Sequence, residues 1–257
     1  MDAPAIIPMP RYIPWLPYWA VLQTDLRQTV RGWVWRTWLL TSLLAAIGYL
    51  LYRLGIYREA GIVQHASNVT GDLLRWPLFG TALLVVVLAV SAMTAERGTL
   101  ADSILSRGIS RRQYFLAKLH SRLFSVLVTF LVMTAMVLTV SHFLLHEDLT
   151  LNGSIMSLAT LGSLMTLIIT SGVTVGALTS TTVFGVSVVW LGLYTAGFGL
   201  SMLPAGYPAP DRVLAKLPQI LRGVYDMQAL MRLMGAALGA SALVALLGMF
   251  GFSRSDV

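Results

Sequence analysis

The chain has 257 residues, of which 56% are hydrophobic and only 11% are charged, and its mean hydropathy is +0.75. A soluble domain carries about 25% charged residues, and one core cannot hide this much apolar surface, so composition excludes a soluble globular domain and predicts a membrane protein. The absence of cysteine excludes disulfides and thiolate metal sites. The net charge of +7 is spread over the ends of apolar runs, which argues against nucleic-acid binding.

The N-terminal segment 1–32 is predicted to form a unit of its own, an arm followed by a helix in the membrane plane. Five prolines within residues 1–17 exclude the apolar core of a secretory signal and predict an extended arm, with a disordered tail as the alternative. From 15 to 31, apolar residues recur every three or four positions, which is typical of an interfacial amphipathic helix. Its predicted polar face consists of Gln23, Asp25, Arg27, Gln28 and Arg31.

Residues 33–257 are predicted to form an all-α transmembrane domain with six spans. A hydrocarbon core of about 30 Å needs about 20 apolar residues in a helix. Six runs meet this length, at 33–54, 74–93, 123–145, 155–178, 183–203 and 230–252.

The charges of the loops predict the direction of the spans, because cytoplasmic loops carry the excess of lysine and arginine. The loop between spans two and three is strongly basic and is predicted to be cytoplasmic, whereas the loop between spans three and four has no lysine or arginine. Both termini are therefore predicted to be cytoplasmic, with the protein in a plasma membrane, the bacterial inner membrane.

The loop between spans five and six, predicted to lie outside, has an organisation of its own. Its prolines divide it into short pieces, and five apolar residues give those pieces one apolar face. We expect short helices that pack against the outer mouth through Val213, Leu214, Leu217, Ile220 and Leu221.

The cytoplasmic stretch 95–113 contains clear helix start and stop signals. Gly98 permits a break, Thr99 is a suitable N-cap for a short helix, and Gly108 ends it. Ser110 and Gln113 then form the pattern of a capping box at the start of the next span. The prediction is a short amphipathic helix along the membrane that a soluble partner can grip. The alternative is that its arginines only anchor the loop to anionic lipid.

The same stretch resembles the signature of ABC-2 type transporter permeases. The resemblance rests on about 25 residues: Glu-Arg-Gly-Thr-Leu at 96–100, Leu-Ser-Arg-Gly-Ile-Ser-Arg at 105–111, and then Lys118. The six-span architecture with an interfacial helix is also similar to that family. The sequence departs from the family pattern at one acidic position, since only Glu96 precedes Gly-Thr, and at Gly108, where proline is common.

The resemblance implies that residues 99–106 form a coupling helix, which docks on a separate ATP-binding subunit that carries ATP and magnesium. It also implies a homodimer or heterodimer of permease chains. The residues implied in coupling are Glu96, Arg97, Gly98, Thr99, Leu100, Asp102, Ser103, Ile104, Leu105, Ser106, Arg107, Arg111 and Arg112.

Catalytic motifs are absent from the sequence. There is no phosphate-binding loop, no zinc-protease motif, no nucleophile elbow and no acidic pair in a span, so we expect no enzymatic activity and no cofactor or metal bound by this chain. His120, Arg122 and His142 lie near span ends and are predicted to be interfacial.

Span four carries a polar stripe whose spacing of three and four residues places it on one helix face. The stripe either lines a substrate path or packs helices together, and it comprises Thr160, Ser163, Thr166, Thr170 and Thr174. Two G-x-x-x-G pairs permit close helix contact, either within one chain or between chains: Gly172 with Gly176 and Gly235 with Gly239.

These observations together predict the transmembrane permease subunit of an ATP-driven transporter, an exporter by family resemblance. The alternative is an ATP-independent membrane carrier or a scaffold of a membrane complex. An intramembrane enzyme is disfavoured because the spans offer no nucleophile and base.

Overall fold

The computed structural model describes residues 15–61, 65–75, 80–96, 109–145, 148–202, 204 and 209–254. This part of the chain folds as an all-α protein. Its helices are α1 Leu16–Arg31, α2 Trp33–Ala60, α3 Ala66–Arg75, α4 Ala82–Thr94, α5 Arg111–Leu144, α6 Leu151–Leu178, α7 Thr182–Ser201, α8 Pro210–Ala215, α9 Leu217–Leu221 and α10 Met227–Arg254.

Five of these helices, α2, α5, α6, α7 and α10, are long and apolar enough to cross a membrane. They correspond to predicted spans one, three, four, five and six, which confirms an all-α, multi-pass membrane character. All of these helices except α7 are longer than the predicted runs. The longest, α5, has 34 residues, about 51 Å, and so exceeds a hydrocarbon core of about 30 Å. Ser110 caps α5 in a box with Gln113, as predicted.

The second predicted span, 74–93, is described only in part. The first helix of this region, α3, ends at Arg75, and the next, α4, begins at Ala82 and has 13 residues. Such a helix is about 20 Å long and does not cross a hydrocarbon core by itself. Residues 76–79 between the two helices lie outside the described residues. A continuous second span is therefore not confirmed and stays a prediction, with the apolar helix α4 inside it.

Among the five long helices, α6 is the most buried. It packs mainly against α10 and α4 and also contacts α5, α7 and α9. Gly172 and Gly176 make the contact with α4 possible: an added Cβ would lie 2.5 Å from the Ala89 Cβ and 2.5 Å from the Val90 carbonyl oxygen, respectively. The first G-x-x-x-G pair therefore serves the fold of one chain. Gly235 and Gly239 have open space beside them in the described part of the chain.

At one end of the bundle, α1 packs on α5 and α2. Gly32, with ψ of 142°, separates α1 from α2 in an extended conformation. The last helix, α10, finishes at the same end, because its Phe252 ring stacks on Tyr114 near the start of α5. We refer to this end as the α1 end.

At the opposite end, α3, α8 and α9 form a cap over the bundle. The five apolar residues predicted to anchor the short helices are all buried, which confirms that part of the prediction. Seven of the ten residues of α3 are buried, and Gly71 lies against Pro218. The Arg75 guanidinium donates to the Leu214 and Ala215 carbonyls, each at 2.9 Å.

The Asp148 carboxylate fastens this cap to the bundle. It accepts hydrogen bonds from the Ser67 backbone at 2.8 Å, the Ser67 hydroxyl at 2.6 Å and the Arg222 guanidinium at 2.9 Å, with His65 3.6 Å away. Burial alone would raise the pKa of Asp148, but these hydrogen bonds and the Arg222 and His65 charges outweigh it and lower the pKa. Asp148 therefore ties three connections of the cap together as an ionised group.

Candidate functional site

A cluster of buried charges lies at the α1 end, between α1, α5 and the residue that follows α4. On α5, Tyr114, Lys118 and Arg122 are four residues apart and therefore share one face. On α1, Asp25 and Thr29 have the same spacing and face α5. Both stripes are buried, so polar side chains lie within the contact between the two helices. We call these groups, with Glu96, the charge cluster.

Lys118 is the centre of the charge cluster. Its ammonium group donates to the Asp25 carboxylate at 2.7 Å and to the Glu96 carboxylate at 2.6 Å, and its side chain is 3% exposed. The Tyr114 ring lies 5.6 Å from the same ammonium group. One buried cation thus joins an acid from α1 to an acid that follows α4.

Arg122 forms the second buried cation of the cluster. Its guanidinium donates to the Thr29 hydroxyl and lies 3.5 Å from the Asp25 carboxylate. The Thr29 hydroxyl also donates to the Asp25 backbone carbonyl at 2.7 Å. The Arg122 side chain is buried against α1, and its predicted interfacial level in the membrane stays a prediction.

Glu96 connects the cluster to the segment that was predicted to couple. One carboxylate oxygen accepts from Lys118, and the other accepts from the Tyr114 hydroxyl at 2.6 Å. Because Glu96 is two residues beyond α4 and Tyr114 is in the first turn of α5, these bonds hold together the two ends of the chain segment between them. The residue that follows α4 and the first turns of α5 are therefore joined directly.

The cluster is electrostatically balanced, with two carboxylates facing two cations. Buried charges cost several kcal/mol each to desolvate, and they persist only when they are paired and hydrogen-bonded. Two of its buried polar atoms, Asp25 Oδ2 and Arg122 Nε, nonetheless have no hydrogen-bond partner within the described residues, and neither has the neighbouring Ser121 Oγ.

An aromatic contact continues this interface beyond the charges. The Tyr18 hydroxyl and His120 Nδ1 are 2.7 Å apart, and the Tyr18 ring is flanked edge-on by Trp15 and Trp19. Burial raises the pKa of Tyr18. His120 is exposed, as predicted for an interfacial residue, but it also binds α1.

Most of the residues predicted to couple, Arg97 to Arg107, lie outside the described residues. Glu96 lies in the charge cluster. Arg111 is partly buried in the first turn of α5, and the exposed Arg112 guanidinium lies 6.0 Å from the centre of the Phe250 ring. The structure thus brings Glu96, but neither arginine, into the cluster, and a coupling role for these residues stays a prediction.

The residues predicted to line a path are on the buried face of α6. Ser163, Thr170 and Thr174 are buried, whereas Thr166 is partly exposed and bonds to the Gly162 carbonyl of its own helix. The Thr174 hydroxyl donates to the Val244 carbonyl of α10 at 3.2 Å, which is a contact between packed helices. A substrate path along this stripe stays a prediction.

The cluster residues that sequence reasoning missed are Asp25 and Thr29, and the contact of Arg122 with α1 was not foreseen either. Asp25 was assigned to the polar outer face of the interfacial helix, and this was wrong, because its side chain is 2% exposed. One signal was available: Asp25 is the sole acidic residue between positions 15 and 36. Helical periodicity assigns polar residues to solvent and does not reveal a cation on another helix.

The charge cluster connects α1, Glu96 and α5 through ion pairs and hydrogen bonds. Within the described ranges, no three histidine, aspartate or glutamate side chains gather as a metal site would require. When the chain is compared with protein-family models and with curated proteins, it matches none of them.

Proposed function

We propose that this protein is the transmembrane permease subunit of an ATP-driven transporter of the ABC-2 type, an exporter whose ATPase is a separate chain. The observation that carries the proposal is the pair of bonds from Glu96 to Lys118 and Tyr114. They clamp the two ends of segment 97–109, whose sequence resembles the family's coupling segment, onto α4 and α5. A soluble motor that grips such a segment would move both helices at once.

The charge cluster would carry this movement to the interfacial helix as well. Asp25 and Thr29 attach α1 to the same face of α5 that holds Glu96. A push on the segment would then shift α1, α4 and α5 as one unit and bias the bundle between two packings. The proposal includes six membrane crossings, with α4 as the core of the second, and cytoplasmic termini. It also includes a pair of permease chains in a bacterial inner membrane.

Crosslinking tests the proposal directly because the chain has no native cysteine. Single cysteines at Thr99, Ser103 or Ser106, each combined with a surface cysteine on a co-expressed ATPase, are expected to crosslink in native membranes. A cysteine at exposed Gln219, at the other end of the bundle, is the matched control and is expected to remain uncrosslinked.

A second measurement separates coupling from mere proximity. ATP hydrolysis by the complex is expected to change when Glu96→Gln weakens the clamp, while the Gln219→Cys variant retains the original rate. If ATPases fail to co-purify in mild detergent and no cysteine in 97–108 crosslinks, the permease proposal fails. The chain would then be an ATP-independent carrier or a scaffold.

A further inference from the structure

The exposed charged residues of α1 are all arginines. Asp25, its one acidic residue, is turned into the charge cluster, so the exposed charges of α1 are Arg27 and Arg31. Exposed Arg36 follows after the Gly32 elbow, one turn into α2. None of these three arginines forms an ion pair with a described residue.

Exposed tryptophans border this basic face. Trp15, Trp19 and Trp33 are 55%, 61% and 74% exposed, although large aromatic side chains are usually covered in a folded protein. Tryptophan is enriched at the headgroup level of membranes, because its ring is apolar and its N–H needs a polar partner. The tryptophans therefore identify the surroundings of the arginines as the headgroup layer rather than bulk water.

We infer that Arg27, Arg31 and Arg36 form a binding face for the phosphate groups of anionic phospholipids. The guanidinium group presents paired N–H donors that match phosphate oxygens, and basic residues near a membrane surface are attracted to anionic lipid. The inference commits to lipid, and not to an acidic protein, because exposed tryptophans on both α1 and α2 favour the headgroup layer for this face. It does not depend on the permease proposal.

Binding at this face would reach the charge cluster. On its other side, α1 is attached to α5 through Lys118 to Asp25, Arg122 to Thr29 and Tyr18 to His120. Lipid that binds α1 and shifts it toward the bilayer would therefore also shift the charge cluster, which includes Glu96. Anionic lipid content would thus regulate the position of α1 relative to α5.

The test uses the full chain with Gln23→Cys, an exposed position one turn before Arg27, carrying an environment-sensitive fluorophore. The labelled protein is reconstituted into phosphatidylcholine vesicles with increasing fractions of phosphatidylglycerol. The emission is expected to change steadily with the anionic fraction, and salt near 1 M, where the Debye length is about 3 Å, is expected to suppress the change.

The variant Arg27→Gln/Arg31→Gln/Arg36→Gln is expected to lose the response. About 1 kcal/mol per basic residue corresponds to about fivefold per arginine, and so to about a hundredfold in the initial slope for all three. The control Arg58→Gln/Lys216→Gln/Arg232→Gln removes the same charge from exposed sites away from α1 and is expected to respond like the parent chain. Thermal unfolding in detergent verifies that both variants are folded.

Two outcomes would overturn the inference. One is an equal response in the two triple variants, which would mean that total charge and not this face is sensed. The other is a parent chain whose emission does not change with phosphatidylglycerol, but which binds an acidic soluble protein that the triple arginine variant does not bind. The face would then bind protein and not lipid.

Discussion

At the residue scale, Lys118 contributes most to the connection between the helices of the α1 end. Its ammonium group has carboxylates on two sides, and all three charged groups are largely shielded from water. Deleting one member of such a set leaves the others buried and unpaired, which costs more than the pair contributes by its presence. A single substitution in the cluster is therefore expected to lower the stability of the protein much more than a paired substitution that removes one charge of each sign.

We expect Lys118→Met to destabilise the protein by about 3–5 kcal/mol, because Asp25 and Glu96 lose their shared cation. The measurement is the thermal unfolding midpoint in detergent, followed by size-exclusion chromatography. Arg112→Met is the matched control on the same helix: its side chain is exposed, and a change below about 0.5 kcal/mol is expected.

A paired substitution tests whether the stability contributed by the cluster comes from its charges. Asp25→Asn combined with Arg122→Met removes one charge of each sign and leaves Lys118 paired with Glu96. The double variant is expected to be more stable than the sum of the two single losses predicts. Strict additivity would contradict the cluster as a coupled unit.

At the scale of elements, α4 packs closely on α6 because Gly172 and Gly176 have no side chains. We expect Gly176→Val to destabilise the fold by at least about 1–3 kcal/mol, because its side chain would meet the Val90 backbone. Gly239→Val is the matched control, since it has the same G-x-x-x-G context and open space around it. Unfolding midpoints of both variants give the comparison.

The control variant also resolves what the second glycine pair does. If Gly239→Val leaves the unfolding midpoint unchanged but shifts the protein to a smaller species in size-exclusion chromatography, the second pair belongs to an interface between chains. Equal losses of stability in both glycine variants would contradict the assignment of the first pair to the α4–α6 contact.

The cap is the second element-scale feature, and its attachment depends on pH. Because the pKa of Asp148 is lowered on folding, its ionised form stabilises the cap above the unfolded value, near 3.8, and this contribution is lost as pH falls through the folded value. Asp148→Asn is therefore expected to lower the unfolding midpoint at neutral pH, and its difference from the parent chain is expected to shrink as pH falls below about 3.8. Exposed Asp211→Asn is the control and is expected to match the parent throughout. A difference for Asp148→Asn that does not shrink with falling pH would contradict this role of the Asp148 carboxylate.

At the scale of the whole molecule, both α1 and the end of α10 lie at the α1 end, so the two termini of the described chain share one side of the bundle. The first turns of α5, with Arg111 and Arg112, lie at the same end. A cytoplasmic α1 end and an external cap stay a prediction from the excess of basic residues in cytoplasmic segments.

Labelling of single cysteines in intact cells checks this orientation. A membrane-impermeant maleimide is expected to reach Gln219→Cys in the cap without permeabilisation, whereas Ser103→Cys is expected to react only after the membrane is opened. Labelling of Ser103→Cys without permeabilisation would contradict this orientation, and with it the proposal of a cytoplasmic ATPase partner.

The sequence by itself determined the class of protein, five long helices, the capping box at Ser110 and the short helices of the cap. Each of these follows from local chemistry: unbroken apolar runs, cap residues and prolines act on neighbouring residues. Only the tertiary structure decided that Asp25 is buried, that Lys118 joins three elements, and that the first glycine pair packs within the chain. These depend on which residues from distant segments meet. Helical periodicity shows the face on which a side chain lies but not the helix or charge that faces it.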